Sequence, residues 1–497
     1  MARMHGTLQQ LEASLDELVP EVLRRTGVPG LSAAVSCAGE VSLRAWGLHD
    51  VAARRPMTPR SLFPVGSMTK LCTATAVMQL VEEGVLGLHD AIDALPAGIA
   101  CRNPLGARPV SVYDLLTFRS GLAVDTPASS AGLPPSLGEH VAAGLAGARV
   151  REYAGAAPRW TARAGERYQY ANLGISVLGL VVERCNPAGL TLPEYVRRRI
   201  LEPLGVERAW LSDWRGDAPH PDRAAGYACF GGRAVPSPEL RSADFPADGL
   251  HTTPEEHLRL LRALMCGGEL DGGRILRPET VRLMLTPQVG MDGSDHVWPS
   301  EGWQTGLVAI LTDLGGRRRR FGHPGAHPWG WWGTAWAYPA LDCAVVACAN
   351  GWDMLGWHNP ANRDPTAVVA DAVATFVDAA PEVERSPRSW AWKRSYAAGA
   401  LIAERTAGTL GVAARPLEAC PAAPGAGWDA DGYRAGLATV TDAPLTPAQA
   451  ASAFGASADA PPPEQREALL QDLGMVYGCP MPLWMWPGDA GAGLPLV

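Results

Sequence analysis

The strand-forming text of this chain is split between two distant stretches, and that split limits the folds open to it. From about Val28, "GLSAAVSCAG" and "EVSLRAWGLHD" read as two β-strands joined by a turn at Ala38 to Glu40. The next strand-like stretches, "WQTGLVAIL", "RRRRFGHPG", "WGTAWAYPA" and "CAVVACANG", lie between about 303 and 350. What separates the two groups is mostly helix and loop. Leu71, Ala74, Val77, Met78 and Val81 recur at helical spacing in a helix from about Ser67 to Glu83. "SVYDLLTFRSG" opens on a serine cap, and "TPEEHLRLLRALMCGG" has a threonine cap, a first-turn proline and closing glycines. Apolar strand faces need a partner layer, so the two groups are expected to share one antiparallel sheet, closed by the later helix "PTAVVADAVATFVDAA". The plan is α+β: a sheet from 28–60 and 303–350, flanked by helices, beside a mostly helical part at 67–290.

This unit is read as residues 1–380. "PEVERSPRSW" follows as a linker, and 383–497, rich in Ala, Pro and Gly, reads as a small helical or irregular appendage. The N-terminal stretch lacks the unbroken apolar core of a signal peptide and spaces Leu8, Leu11, Leu15, Leu18 and Val22 as an amphipathic helix, so export is not expected. Apolar runs such as "LGISVLGLVV" reach about half of the roughly 20 residues a membrane span needs. A net charge of -8 argues against nucleic acid or an anionic membrane as partner, and the run Arg317 to Arg320 reads as a solvated hairpin tip. Ten cysteines without a CxxC pair fit reduced thiols in a cytoplasmic protein. His323 and His327 are four apart, but Pro324, Gly325 and Pro328 break the segment, so no metal site is expected, and no cofactor either.

Lysine is scarce. Only Lys70 and Lys393 occur among 43 basic residues, and Lys70 stands three residues after Ser67 in "FPVGSMTK". Gly66 and the following helix put Ser67 at a helix N-terminus, where free N–H groups favour a developing negative charge, with Lys70 on the same face. A serine hydroxyl needs a base to become a nucleophile; a desolvated lysine can be that base, whereas arginine cannot be deprotonated. "YQYANLGISVLGLVVE" adds Tyr170 and Asn172 on a loop entering a helix. A tyrosine beside a lysine cation can pass protons to and from the serine, and the asparagine can orient the lysine. In "FGHPG", His323 and Gly325 are placed on a strand, glycine marking close backbone approach, and the N–H of Ala326 is a candidate oxyanion donor with that of Ser67. Plainer readings exist for each: a capping serine with a surface lysine, a buried tyrosine, and an edge-strand bend.

Taken together, SxxK, then YxN about 100 residues on, then His-x-Gly resemble the serine β-lactamase and penicillin-binding-protein superfamily. The likeness is closest to the class C β-lactamase-like branch, with its D-aminopeptidases, family VIII-type esterases and natural-product transesterases. "VPGLSAAV", "LVEEGVLGLHD" and "PLGVERAWL" look like landmarks of that branch, and the resemblance covers about residues 5 to 378. It implies a β-lactamase/transpeptidase-like fold with Ser67 as acyl-enzyme nucleophile, Lys70 and Tyr170 as the proton-transfer pair, and Asn172 as a positioning group. It also implies that His323 and Gly325 lie on the strand opposite Ser67, with the oxyanion hole formed by Ser67 and Ala326. His323-Pro324 replaces a Lys-Thr pair that helps hold substrate carboxylates, which should weaken recognition of penicillins and D-Ala-D-Ala. Phe118 stands where relatives often carry His, a change expected to bear on packing only. Eight of 17 tryptophans fall between Trp298 and Trp357, and Trp303, Trp329, Trp331 and Trp332 are candidates for an apolar substrate pocket.

The expected function is a cytoplasmic serine acyl-transfer enzyme acting on a small-molecule ester or amide, with water, an amine or an alcohol as acceptor. A β-lactamase or D-Ala-D-Ala peptidase, and a non-catalytic ligand-binding homologue, are the competing readings.

Overall fold

The computed structural model describes residues 8–122, 129–130, 132–147, 160–215, 220–230, 233–238, 241–290, 304–313, 319–327, 330–353 and 365–377. Helix α1 (Leu8–Thr26) leads into β1 (Gly30–Cys37) and β2 (Glu40–Asp50), then the short β3 (Arg55–Pro56) and β4 (Phe63–Pro64). A 3-10 turn over Gly66–Thr69 runs into α2 (Lys70–Glu82). Next come α3 (Leu137–Leu145), α4 (Asn172–Cys185), the one-turn α5 (Phe245–Asp248), β5 (Leu250–Thr252) and α6 (Pro254–Met265). Strands β6 (Val289–Gly290), β7 (Gln304–Thr305), β8 (Ile310–Asp313), β9 (Arg319–Gly322), β10 (Gly325–His327), β11 (Trp331–Tyr338) and β12 (Cys343–Ala349) precede α7 (Pro365–Val377).

The two distant strand groups do form one antiparallel sheet. Its order is β6-β7-β8-β9-β11-β12-β1-β2-β3, with β10 also beside β11. The seam is β1 on β12, in register from Leu31 opposite Ala349 to Cys37 opposite Cys343. Every residue of both strands is buried, so each needs apolar or small side chains on two faces. Alternation sorts them: Leu31, Ala33, Val35, Val345 and Ala347 meet Leu11, Leu15 and Val19 of α1 and Val369 and Val373 of α7. Ala34, Val346 and Cys348 face the other way, into the core shared with α2, α4 and α6. In α1 the buried stripe is Leu11, Leu15, Val19, Val22 and Leu23, and Leu18, expected inside, is exposed. The caps hold as read: Ser111 accepts from the Asp114 N–H, and Thr253 from that of Glu256.

Three strand expectations need correction. "WQTGLVAIL" is a hairpin of β7 and β8, its turn carrying Val308 at φ 69. "RRRRFGHPG" is interrupted: β9 and β10 both pair with β11 in one continuous register, but His323 and Pro324 fall in the break because proline has no N–H for the ladder. His323 still donates its own N–H to the Ala335 carbonyl at 3.1 Å. The middle of the chain also holds short strands, including β5, which pairs with β4. Of the arginine run, Arg317 and Arg318 lie outside the described residues. Arg320 lies on β9 over the Trp336 ring at 4.0 Å. The appendage assigned to 383–497 also lies outside the described residues.

Two glycines set how closely the sheet approaches α2. A Cβ on Gly66, which holds φ +55, would lie 2.2 Å from the Ala326 carbonyl oxygen, and one on Gly325 would lie 2.0 Å from that of Val65. Gly39 at the β1–β2 turn also has positive φ but open space around it. Gly39→Ala should therefore cost about 1 kcal/mol. Gly66→Ala, which adds a backbone collision, should cost at least about 2 kcal/mol more in urea unfolding.

Candidate active site

Every residue from Ser61 to Leu80 is buried except Ser67, which is half-exposed. The turn that presents it is strapped down from one side. β4 pairs with β5, the Val65 N–H donates to the Leu250 carbonyl at 2.9 Å, and the Leu250 N–H donates to Thr69 Oγ1 at 3.0 Å. One turn into α2, the Thr73 hydroxyl donates to the Pro246 carbonyl at 2.6 Å. From the other side β10 presses on the turn through Gly325, bringing the main chain of Ala326 against Gly66.

Ser67 Oγ accepts two hydrogen bonds at once, from Lys70 Nζ at 2.8 Å and from the Tyr170 hydroxyl at 2.9 Å. Lys70 is fully buried, and its Nζ also donates to the Ala247 carbonyl at 3.1 Å and sits 4.9 Å from the centre of the Tyr170 ring. Tyr170 is held from behind by Phe118, whose ring stacks on it at 4.8 Å. Asn172, buried, is the first residue of α4. The fold thus brings Ser67, Lys70 and Tyr170 into mutual contact, with Asn172 two residues past Tyr170. A hydroxyl with two adjacent proton-exchanging groups is the arrangement nucleophilic acyl transfer needs.

The sequence pattern of the family described as Beta-lactamase matches residues 15–367, well over half of the chain. The chain belongs to the β-lactamase family. Protein Rv1367c of Mycobacterium tuberculosis is 31% identical over 339 residues, spanning 60% of this chain and 80% of that protein. The octameric penicillin-binding protein homologue from Pyrococcus abyssi is 26% identical with a TM-score of 0.58, covering 77% of this chain and 81% of its own. The structure of SurE with D-Leu is 25% identical with a TM-score of 0.54, covering 73% of this chain and 76% of its own.

In this β-lactamase-family chain the histidine of the His-x-Gly element is not a cation. His323 is fully buried and its Nδ1–H donates to the Pro324 carbonyl at 2.5 Å, which leaves Nε2 as an acceptor without a hydrogen-bond partner among the described residues. Burial first, then the Lys70 charge, push its pKa down to about 3, against the pull of the Pro324 carbonyl. Of the candidate pocket tryptophans, two can be placed. Trp331 and Trp332 are neighbours on β11 and so face opposite sides. Trp331 lies in the core on the α2 side, its Nε1–H on the Ala224 carbonyl at 3.0 Å, whereas Trp332 meets Trp352 edge-on at 5.0 Å. Trp303 and Trp329 lie outside the described residues. What flanks β10 instead is a buried stack of mixed rings: His327 against Trp331 and Trp214, and Trp214 edge-on to His251.

The residues missed by sequence reasoning are Ala247 and Thr69. Ala247 acts through a main-chain carbonyl, which leaves no mark in a sequence, and Thr69 through a hydroxyl with no motif. Phe118, expected to bear on packing, packs on the face of Tyr170.

The buried histidines predict a fold that loses stability in acid. Burial holds His251 and His323 at about 3 and His257 at about 4, so between these values and the ordinary 6.5 the unfolded chain binds protons that the native one does not. Stability from these groups is lost as pH falls through that window. Asp248 opposes them: burial, then Asp244, raise its carboxyl to about 7, so the native state gains a proton there as pH falls. Three histidines outweigh one carboxyl, and urea unfolding at pH 5 should show a loss on the order of 3 kcal/mol relative to pH 7.

Proposed function

We propose that this protein is a serine acyl-transfer enzyme that forms an acyl-Ser67 intermediate from an ester or amide of a small molecule. The observation that carries the reading is the double contact of Ser67 Oγ with Lys70 Nζ and Tyr170, at the single half-exposed point of a buried segment. The Ser67 proton leaves to whichever of the pair is unprotonated, and Oγ attacks the acyl carbon. The oxyanion is met by the N–H groups of Ser67 and Ala326, and the leaving oxygen or nitrogen takes a proton back as its bond to the acyl carbon breaks. Water as acceptor makes the enzyme an esterase or amidase; an amine or alcohol makes it a transacylase, with natural-product biosynthesis as a setting for such chemistry. Asn172 positions Lys70, and the cytoplasm is the compartment suggested by the N-terminal text and unpaired cysteine spacing. No helix among the described residues is long and apolar enough to cross a membrane.

The neutral, buried His323 and the missing hydroxyl at Pro324 speak against a β-lactamase or D-Ala-D-Ala peptidase, since this strand offers no cation for the substrate carboxylate. D-Leu in the related SurE structure supports an acyl donor or acceptor built on an amino acid. A fluorophosphonate should label Ser67 and fail to label Ser67→Ala. Lys70→Arg, which keeps the charge but cannot release a proton, should lower activated-ester turnover by roughly 10²–10⁴-fold. Near-normal turnover in that variant would remove Lys70 from proton transfer, and no labelling with no ester turnover would favour a non-catalytic binding protein. Nitrocefin turnover should be slow; rapid turnover restores the β-lactamase reading.

A further inference from the structure

β1 ends at Cys37 and β12 begins at Cys343, and the two residues face each other in the antiparallel register. Just outside them the Ala38 N–H donates to the Asp342 carbonyl at 2.9 Å. A backbone bond in that place makes Cys37 and Cys343 a facing pair with no ladder bond of its own, and such pairs bring Cα atoms to about 4.5 Å, with their side chains closest. A disulfide needs Cα atoms about 4.4–6.8 Å apart. The backbone alone therefore meets the requirement. The side chains meet it as well: the two Sγ atoms, both thiols in this structure, lie 2.7 Å apart. No other facing pair of the β1–β12 seam consists of two cysteines. Tight turns hold both strand ends in place, with Ala38 at φ 50 after Cys37 and Asp342 at φ 46 before Cys343. Both sulfurs belong to the core that α1 and α7 share with the sheet, and both residues are buried. The hydrogen bond from Cys37, then burial, push the Cys343 thiol well above its ordinary range, so in the closed sheet it is held protonated and unreactive.

We propose that Cys37 and Cys343 are a redox site, two thiols placed to close into a cross-strand disulfide by exchange with a small disulfide such as oxidised glutathione. One cysteine, as thiolate, displaces a sulfur of the oxidant, giving a mixed disulfide and one released thiol. The facing cysteine loses its proton and displaces the second sulfur. One S–S bond forms across the seam and one breaks in the oxidant, which leaves as two thiols carrying the two electrons and two protons. The new bond ties positions 306 apart in sequence, and closures this long restrict the unfolded chain most. Exchange proceeds when the strand ends open, so closure is slow in the folded protein and the finished bond is shielded from reductants. Nothing in this depends on the chemistry at Ser67.

The test equilibrates full-length protein with reduced and oxidised glutathione in urea just below the unfolding transition, where the strand ends open often enough to exchange. The protein is then alkylated in denaturant and its peptides are mapped by mass spectrometry, with fragmentation separating Cys343 from the nearby Cys348. The peptide joining Cys37 to Cys343 should be the main form even with reduced glutathione in about tenfold excess over oxidised. The urea midpoint of the linked protein should lie roughly 0.5–1 M above that of the reduced protein. That difference should vanish in Cys37→Ala and in Cys343→Ala. Alkylated Cys37 and Cys343 after equilibration overturn the proposal, as does glutathione retained on either residue or Cys37 joined to any other cysteine. These three outcomes are read on the wild type and do not require a variant to fold.

Discussion

Main chain meets main chain where the Gly66 turn lies against Gly325 and Ala326, and the rest of the site is arranged around that contact. Without side chains at Gly66 and Gly325, the start of α2 and the strand β10 come within backbone contact. That closeness puts the Ala326 main chain beside Ser67 and leaves no room for the turn to drift. β5 holds the same turn from its other side through Leu250, so Ser67 is fixed by backbone hydrogen bonds and packing rather than by its own side chain. A hydroxyl held in this way would need little reorganisation to act as a nucleophile.

Polar groups around Ser67 are sorted by charge. Lys70 is the one lysine of the described residues, fully buried and tied to Ser67 and Ala247. Burial keeps His251 and His323 neutral, and at His323 the Lys70 charge acts in the same direction. Arginine is kept to other tasks, as where Arg320 covers Trp336 on the far face of the sheet. Lys70 is then the lysine in contact with Ser67 Oγ, a position where an arginine could not release a proton.

How much of this was legible in the sequence varies by the physical origin of each feature. The shared sheet followed from strand patterning at both ends, because buried β1 and β12 carry an unmistakable run of small and branched residues. Ser67, Lys70 and Tyr170 followed from spacing, chemistry and family resemblance, and the geometry brings them together. Pro324 cannot donate to a ladder, and the structure keeps the register across it while interrupting the strand at His323 and Pro324. Trp331 and Trp332, neighbours on a strand, face opposite sides, so of the four candidate pocket tryptophans these two do not share one wall. Ala247 and Leu250 could not have been read at all, since they act through backbone groups brought in by tertiary folding.

The pairing of β1 with β12 also governs the order in which the chain can be completed. β1 emerges early in synthesis with β2 as its only neighbour, and the strand that covers its other edge follows some 300 residues later. Until Cys343–Ala349 arrives, an eight-residue apolar strand has an open edge. Pairings so distant in sequence form slowly because loop closure precedes their reward. The half-made protein is thus exposed to intermolecular strand addition for most of its translation, and any chain stopped short of β12 is left with that edge permanently open.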